Sequence, residues 1–122
     1  MTRLSKFDPR TLRAALWALR AERCVRRQLD VGGIESLQVP PSPPVPAGAA
    51  RGVAAVLRRR KETCLVRSAI WQEWHAAHGS PRDLIIGVTA PGPDFSAHAW
   101  LDGEAHSGSD GFMEISRVKA RR

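Results

Sequence analysis

The sequence predicts an α+β fold: helices first, then a helix carrying a cysteine, then a small antiparallel sheet. Three observations carry that expectation. Helical periodicity dominates up to His78, β-branched and alternating runs follow from Asp83, and a proline-rich segment separates the first helix from the next. With 122 residues, 43% hydrophobic and 25% charged, the chain is sized and balanced for one domain spanning 1–122.

Asp8-Pro9 marks a helix start, with Asp at the cap and Pro at the first turn. Leu12, Leu16, Leu19, Arg23 and Val25 to Leu29 continue helically to the break at Gly32-Gly33, with Arg10, Arg13, Arg20 and Arg27 assigned to the opposite face. The leucine stripe is thus expected to be covered. Residues 40–46, Pro-Pro-Ser-Pro-Pro-Val-Pro, read as a stiff extended connector. Ala47 to Lys61 is helical again and ends in Arg58-Arg59-Arg60-Lys61, cations that suit a helix C-terminus. Thr63 then caps a helix that runs from Cys64 through Trp71 and Trp74 to a stop at Gly79. Both tryptophans are expected beneath the sheet.

Asp83 to Ala90 reads as a strand and Pro91 to Asp94 as a turn. In the next strand Phe95, Ala97, Ala99 and Leu101 share one face, leaving His98 and Trp100 on the other. A third strand spans Phe112 to Val118, completing an expected meander.

Charge is divided unevenly. Residues 1–62 carry 13 Lys and Arg against 5 Asp and Glu, whereas residues 63–122 carry 6 against 7. The basic part, 1–61, therefore differs from the remainder, 62–118. A basic half invites a nucleic-acid or acidic-peptide partner. No recognition-helix or stacking motif supports nucleic acid, and arginine-rich solvated helix faces produce the same count. No apolar run approaches the ~20 residues of a membrane span, and the N-terminus has no apolar signal core, so a cytoplasmic location is expected. Two cysteines cannot build a disulfide framework.

Cys64 is the first chemical candidate. A thiol at a helix N-terminus faces the positive end of the dipole, which favours the nucleophilic thiolate; most free cysteines are merely small core residues. Cys24, mid-helix, is assigned to packing. His98 follows the cysteine-bearing helix by one strand, where an imidazole can reach a thiol. A third group must then orient the ring. Asp94, Asp102, Glu104 and Asp110 are the nearby acids. A two-residue Asp102-Gly103 hairpin would set His98 opposite Ser107; a three-residue loop would set it opposite Asp110. His75 and His78, at i, i+3, together with His98, His106 and Cys64, raise a zinc alternative that no Cys-x-x-Cys or His-Glu-x-x-His spacing supports. No cofactor or metal is expected.

Three ordered motifs carry a resemblance. Thr63-Cys-Leu-Val-Arg-Ser-Ala69, then Leu84-Ile-Ile-Gly-Val88, then Phe95-Ser-Ala-His-Ala-Trp100 resemble the transglutaminase-like cysteine peptidases of lasso-peptide maturation. The likeness covers 62–118, and the first half matches in layout only. It implies a transglutaminase/papain-like core in which Cys64 is the nucleophile, His98 the general base and acid, and Asp110 the residue orienting His98. Asp102 is the alternative acid, because the chain departs from the family pattern after Trp100. The implied activity is removal of the leader from a ribosomally made precursor. The implied partners are the precursor leader peptide, a separate PqqD-like leader-recognition protein and a lasso cyclase.

Overall fold

The computed structural model describes residues 4–33, 37–60, 63–88, 97–103 and 112–120. Helix α1 spans Pro9–Val31. Asp8 caps it by accepting the Arg10 N–H at 2.8 Å and pairing with the Arg10 guanidinium at 3.0 Å. Helix α2 spans Ala50–Arg59 after a short 3₁₀ turn at Ala47–Ala49, with Arg58 and Arg59 in its last turn. Helix α3 spans Cys64–Ala77, and Gly79, at φ +82°, follows its end.

The buried face of α1 is not the leucine stripe. Thr11, Ala14, Trp17, Ala18, Ala21, Glu22 and Val25 are buried, whereas Leu12 and Leu16 are 51% and 69% exposed. Close backbone approach explains this. A Cβ on Gly52 would lie 2.3 Å from the Thr11 carbonyl oxygen, so α1 and α2 meet where only small residues fit. The alanine face of α1 serves that contact, and the larger leucines turn outward.

Glu22 is completely buried among these helices. Its oxygens lie 2.8 Å from Arg26 Nε and 3.3 Å from Arg60 Nε, which ties α1 to the end of α2. The proline-rich connector is fastened by its backbone. Gln28 exchanges two hydrogen bonds with Gln38 at 2.6 and 2.7 Å, and Trp17 Nε1 donates to the Pro40 carbonyl at 3.0 Å. Further along, the His78 ring lies between the carbonyls of Trp74, at 2.7 Å, and Val45, at 2.9 Å.

The sheet contains β1 (Leu84–Val88), β2 (Ala97–Leu101) and β3 (Met113–Val118), all antiparallel, in the order β2-β1-β3. This corrects the expected meander: β1, not β2, is central. The composition of the strands accounts for it. β1 is apolar throughout, while β3 exposes Met113, Glu114 and Ile115, a pattern suited to an edge. The two hairpin registers considered for β2 and β3 therefore do not apply. His98 stands opposite Gly87, and Gly87 stands opposite Glu114.

Two apolar clusters result. One joins the helices and includes Trp17, Val25, Val53, Leu57, Ile70 and Trp74. The other joins α3 to the sheet through Ala69, Leu84, Ala99 and Leu101. Trp74 therefore belongs to the helical core, with its ring 5.9 Å from that of Trp17, rather than beneath the sheet. Trp71 is half-buried and borders both clusters. Among the described residues no helix is long and apolar enough to cross a membrane.

Candidate active site

The site forms where the first turn of α3 meets β2. Thr63 holds that turn: its hydroxyl accepts the Val66 N–H at 3.3 Å and its carbonyl accepts the Arg67 N–H at 3.0 Å. Among the described residues the N–H groups of Cys64 and Leu65 have no acceptor. Cys64, half-buried, is the first residue of the helix.

β2 is an edge strand, and α3 covers its outer edge. The Ala99 N–H donates to Cys64 Sγ at 3.3 Å, and the Ala99 carbonyl accepts from the Ser68 hydroxyl at 3.4 Å. Two contacts to one residue of β2, spaced i, i+4 on α3, fix the strand against the helix. They set the sulfur at the backbone of the residue next to His98.

Alternation along β2 buries Ala99 and Leu101 and leaves His98 and Trp100 half-buried on the other face. The imidazole stacks on Trp100 with centroids 5.8 Å apart and meets Phe112 at 5.6 Å. Trp100 and Phe112 touch edge-on at 6.2 Å. Gly87 makes room for them: a Cβ there would lie 2.7 Å from Trp100 Cη2 and 3.1 Å from Phe112 Cβ. An aromatic frame around a histidine ring limits its rotation.

Cys64 and His98 line one cleft of about 530 Å³, together with Arg67, Ser68, Trp71 and His75. Arg67, Ser68, Trp71 and His75 continue the face of α3 that starts at Cys64, and the Trp71 and His75 rings stack at 5.7 Å. Sequence reasoning placed Trp71 in the core and His75 in a possible ligand pair; Trp71 packs against both apolar clusters and also borders the thiol cleft, as does His75. Their i, i+4, i+7 and i+11 spacing from Cys64 was the available signal. His78, the other member of that pair, directs both ring nitrogens at carbonyl oxygens.

The acids are placed as follows. Asp110 lies outside the described residues, as do Asp94, Glu104 and His106. Asp102 follows β2, four residues and roughly 13 Å along the chain from His98. Its carboxylate pairs with Arg117 at 3.2 Å, in a group with Asp83 and Glu114. Within this group Arg117 holds the Glu114 carboxyl below the usual carboxylate range. The Ala120 N–H, followed by Arg117, does the same for Asp83. The acids in turn hold the Arg117 guanidinium above its ordinary value, Glu114 most strongly. Cys24 is half-buried in α1 and accepts from the Gln28 amide at 3.2 Å, away from this chemistry.

A thiol at a helix start and a histidine on the adjoining strand thus share one cleft within an α+β fold. The model of the transglutaminase-like superfamily matches residues 10–117, and the chain belongs to that superfamily, which includes cysteine proteases. The match reaches well into the basic first half, beyond the 62–118 region that the sequence motifs had suggested. No curated protein and no solved structure matches the chain.

Proposed function

We propose that this protein is a cysteine peptidase that removes the leader from a ribosomally synthesised lasso-peptide precursor, working with a separate leader-recognition protein and a cyclase. The observation that carries the thiol chemistry is the cleft shared by Cys64 and His98, with Ala99 bonded to the sulfur. The choice of substrate rests on the three sequence motifs. Cys64 is the nucleophile, His98 the general base and acid, and Asp110 the acid that orients His98.

The reaction proceeds through a thioester. His98 takes the Cys64 proton, and the sulfur attacks the carbonyl carbon at the leader–core junction. Negative charge gathers on the carbonyl oxygen, where the N–H groups of Cys64 and Leu65 act as donors. One such donor contributes about 3–4 kcal/mol to the transition state. Collapse breaks the C–N bond, and His98 gives its proton to the departing amine of the core. His98 then draws a proton from water, whose oxygen adds to the thioester; the leader leaves as a carboxylic acid and the thiol is restored.

Mass spectrometry of a leader-containing precursor, incubated with the protein and a leader-recognition partner, tests this reading. The expected result is a leader-sized mass loss that disappears with Cys64→Ala. An intact peptide, under conditions in which a related protein pair cleaves it, overturns the reading. A product joined to an added primary amine instead of hydrolysed would assign acyl transfer to an amine.

A further inference from the structure

Helix α1 carries much of its positive charge on a single line. Arg13, Leu16, Arg20, Arg23 and Arg27 follow one another at spacings of three and four, and all five are exposed. At 1.5 Å per residue the ridge is about 21 Å long. Among the described residues none of its four guanidiniums has an ion-pair or hydrogen-bond partner, whereas Arg10, Arg26, Arg60 and Arg117 each face a carboxylate. Like charges at i, i+3 and i, i+4 destabilise a helix. The ridge therefore carries a repulsion that a bound anion would relieve.

A groove of about 600 Å³ runs beside this ridge. Arg13, Arg20 and Arg23 border it on one side and Pro41 and Pro43 on the other, with Leu16, 69% exposed, beside the arginines. The proline wall is held in place by the bond from Trp17 to Pro40. A cationic edge beside exposed apolar surface suits an acidic segment with an apolar side chain. It suits nucleic acid poorly, because Trp17, the aromatic residue lining the groove, is 6% exposed and cannot stack on bases. It also suits a bilayer poorly, because the exposed leucines of α1, Leu12 and Leu16, are too few to give the broad apolar face of an interfacial helix.

We propose that this groove is the docking site for an acidic segment of a partner polypeptide, with an apolar side chain seated over Leu16 between the ridge and Pro41–Pro43. The proposal is independent of the chemistry at Cys64. Pre-formed walls mean that binding orders little of this chain.

Fluorescence anisotropy with a labelled 16-residue helical peptide tests it, the probe carrying Glu at three- and four-residue spacing and one central Leu. The unmodified protein is compared with Arg20→Glu/Arg23→Glu, with Arg20→Gln/Arg23→Gln, with Leu16→Ser, and with Arg58→Glu/Arg59→Glu as a control of equal charge change. Circular dichroism checks that each variant is folded, and the Gln pair stands in if the Glu pair is not. The expected result is at least tenfold weaker binding for the ridge pair and severalfold weaker binding for Leu16→Ser. The control should change binding less than twofold beyond what a matched salt increase produces. Equal losses for ridge and control would overturn the proposal. So would no binding, or tighter binding of a 16-nucleotide single strand or of phosphatidylserine vesicles at the same salt.

Discussion

Cys64 and His98 line one cleft because a backbone contact docks the strand of His98 against the helix of Cys64. The sulfur accepts the N–H of Ala99, and the strand then presents the neighbouring imidazole on its other face. Geometry at this site thus depends on residues with no chemistry of their own. Gly87→Ala is one test. The new Cβ would press on Trp100 and Phe112, and overpacking of this kind costs about 1–3 kcal/mol. Because those rings frame His98, thiol-dependent turnover should fall by more than the lost stability accounts for. Kinetics measured well below the melting transition check this, and unchanged turnover would show that the aromatic frame is dispensable. Thr63→Ala removes the hydroxyl that holds the first turn of α3 and should cost about 1 kcal/mol, read from denaturant unfolding.

Among the elements, α1 and α2 show how a small residue sets an interface. Gly52→Ala gains roughly 1 kcal/mol in helix propensity. It also places a methyl group against the Thr11 carbonyl oxygen, a backbone atom that cannot swing aside. Net destabilisation is expected, lowering the melting temperature by roughly 4 °C for each kcal/mol lost. A more stable Gly52→Ala protein would mean that the two helices can slide apart at little cost. Glu22 links the same pair of helices from within the core. Its arginine partners are 48% and 44% exposed in their side chains and can be rehydrated, so Glu22→Gln should cost less than the 3–5 kcal/mol of a fully buried pair, about 1–2 kcal/mol. Chemical denaturation at neutral pH measures it, and no loss would show that the charge is not used.

At the scale of the whole molecule, strand β3 is tied to the rest of the sheet by charge pairs as well as by its ladder to β1. Asp83 accepts the Ala120 N–H at 3.0 Å and pairs with Arg117 at 3.3 Å, and Arg117 also pairs with Glu114. Both carboxyls lie below their usual range in the folded chain. Their contribution to stability is therefore complete above the unfolded values of roughly 4. It is lost as pH falls through the lower folded values. Amide exchange followed down an acid titration should show β3 losing protection before the helical core, and Arg117→Met should weaken that pH dependence. Simultaneous loss of strand and helices, unaffected by Arg117→Met, would assign acid unfolding elsewhere.

Local chemistry made much of this protein legible. The Asp8 and Thr63 caps, the connector, the cysteine at a helix start and the alternation of β2 each follow from residues a few positions apart, because capping, backbone restriction and strand period act over one or two turns. The α+β class follows from their order. Packing decided the rest. Helical period alone could not say which side of α1 is buried, since a close crossing at Gly52 favours alanines over the larger leucines. Nor could hairpin rules identify the central strand, because pairing between β1 and β3 joins segments far apart in the chain and is settled by which strand best tolerates burial on both edges. Trp71 and His75 share a helix face with Cys64 on any reading of the periodicity. Whether that face meets core or cleft depends on where β2 docks, and only long-range contacts determine that.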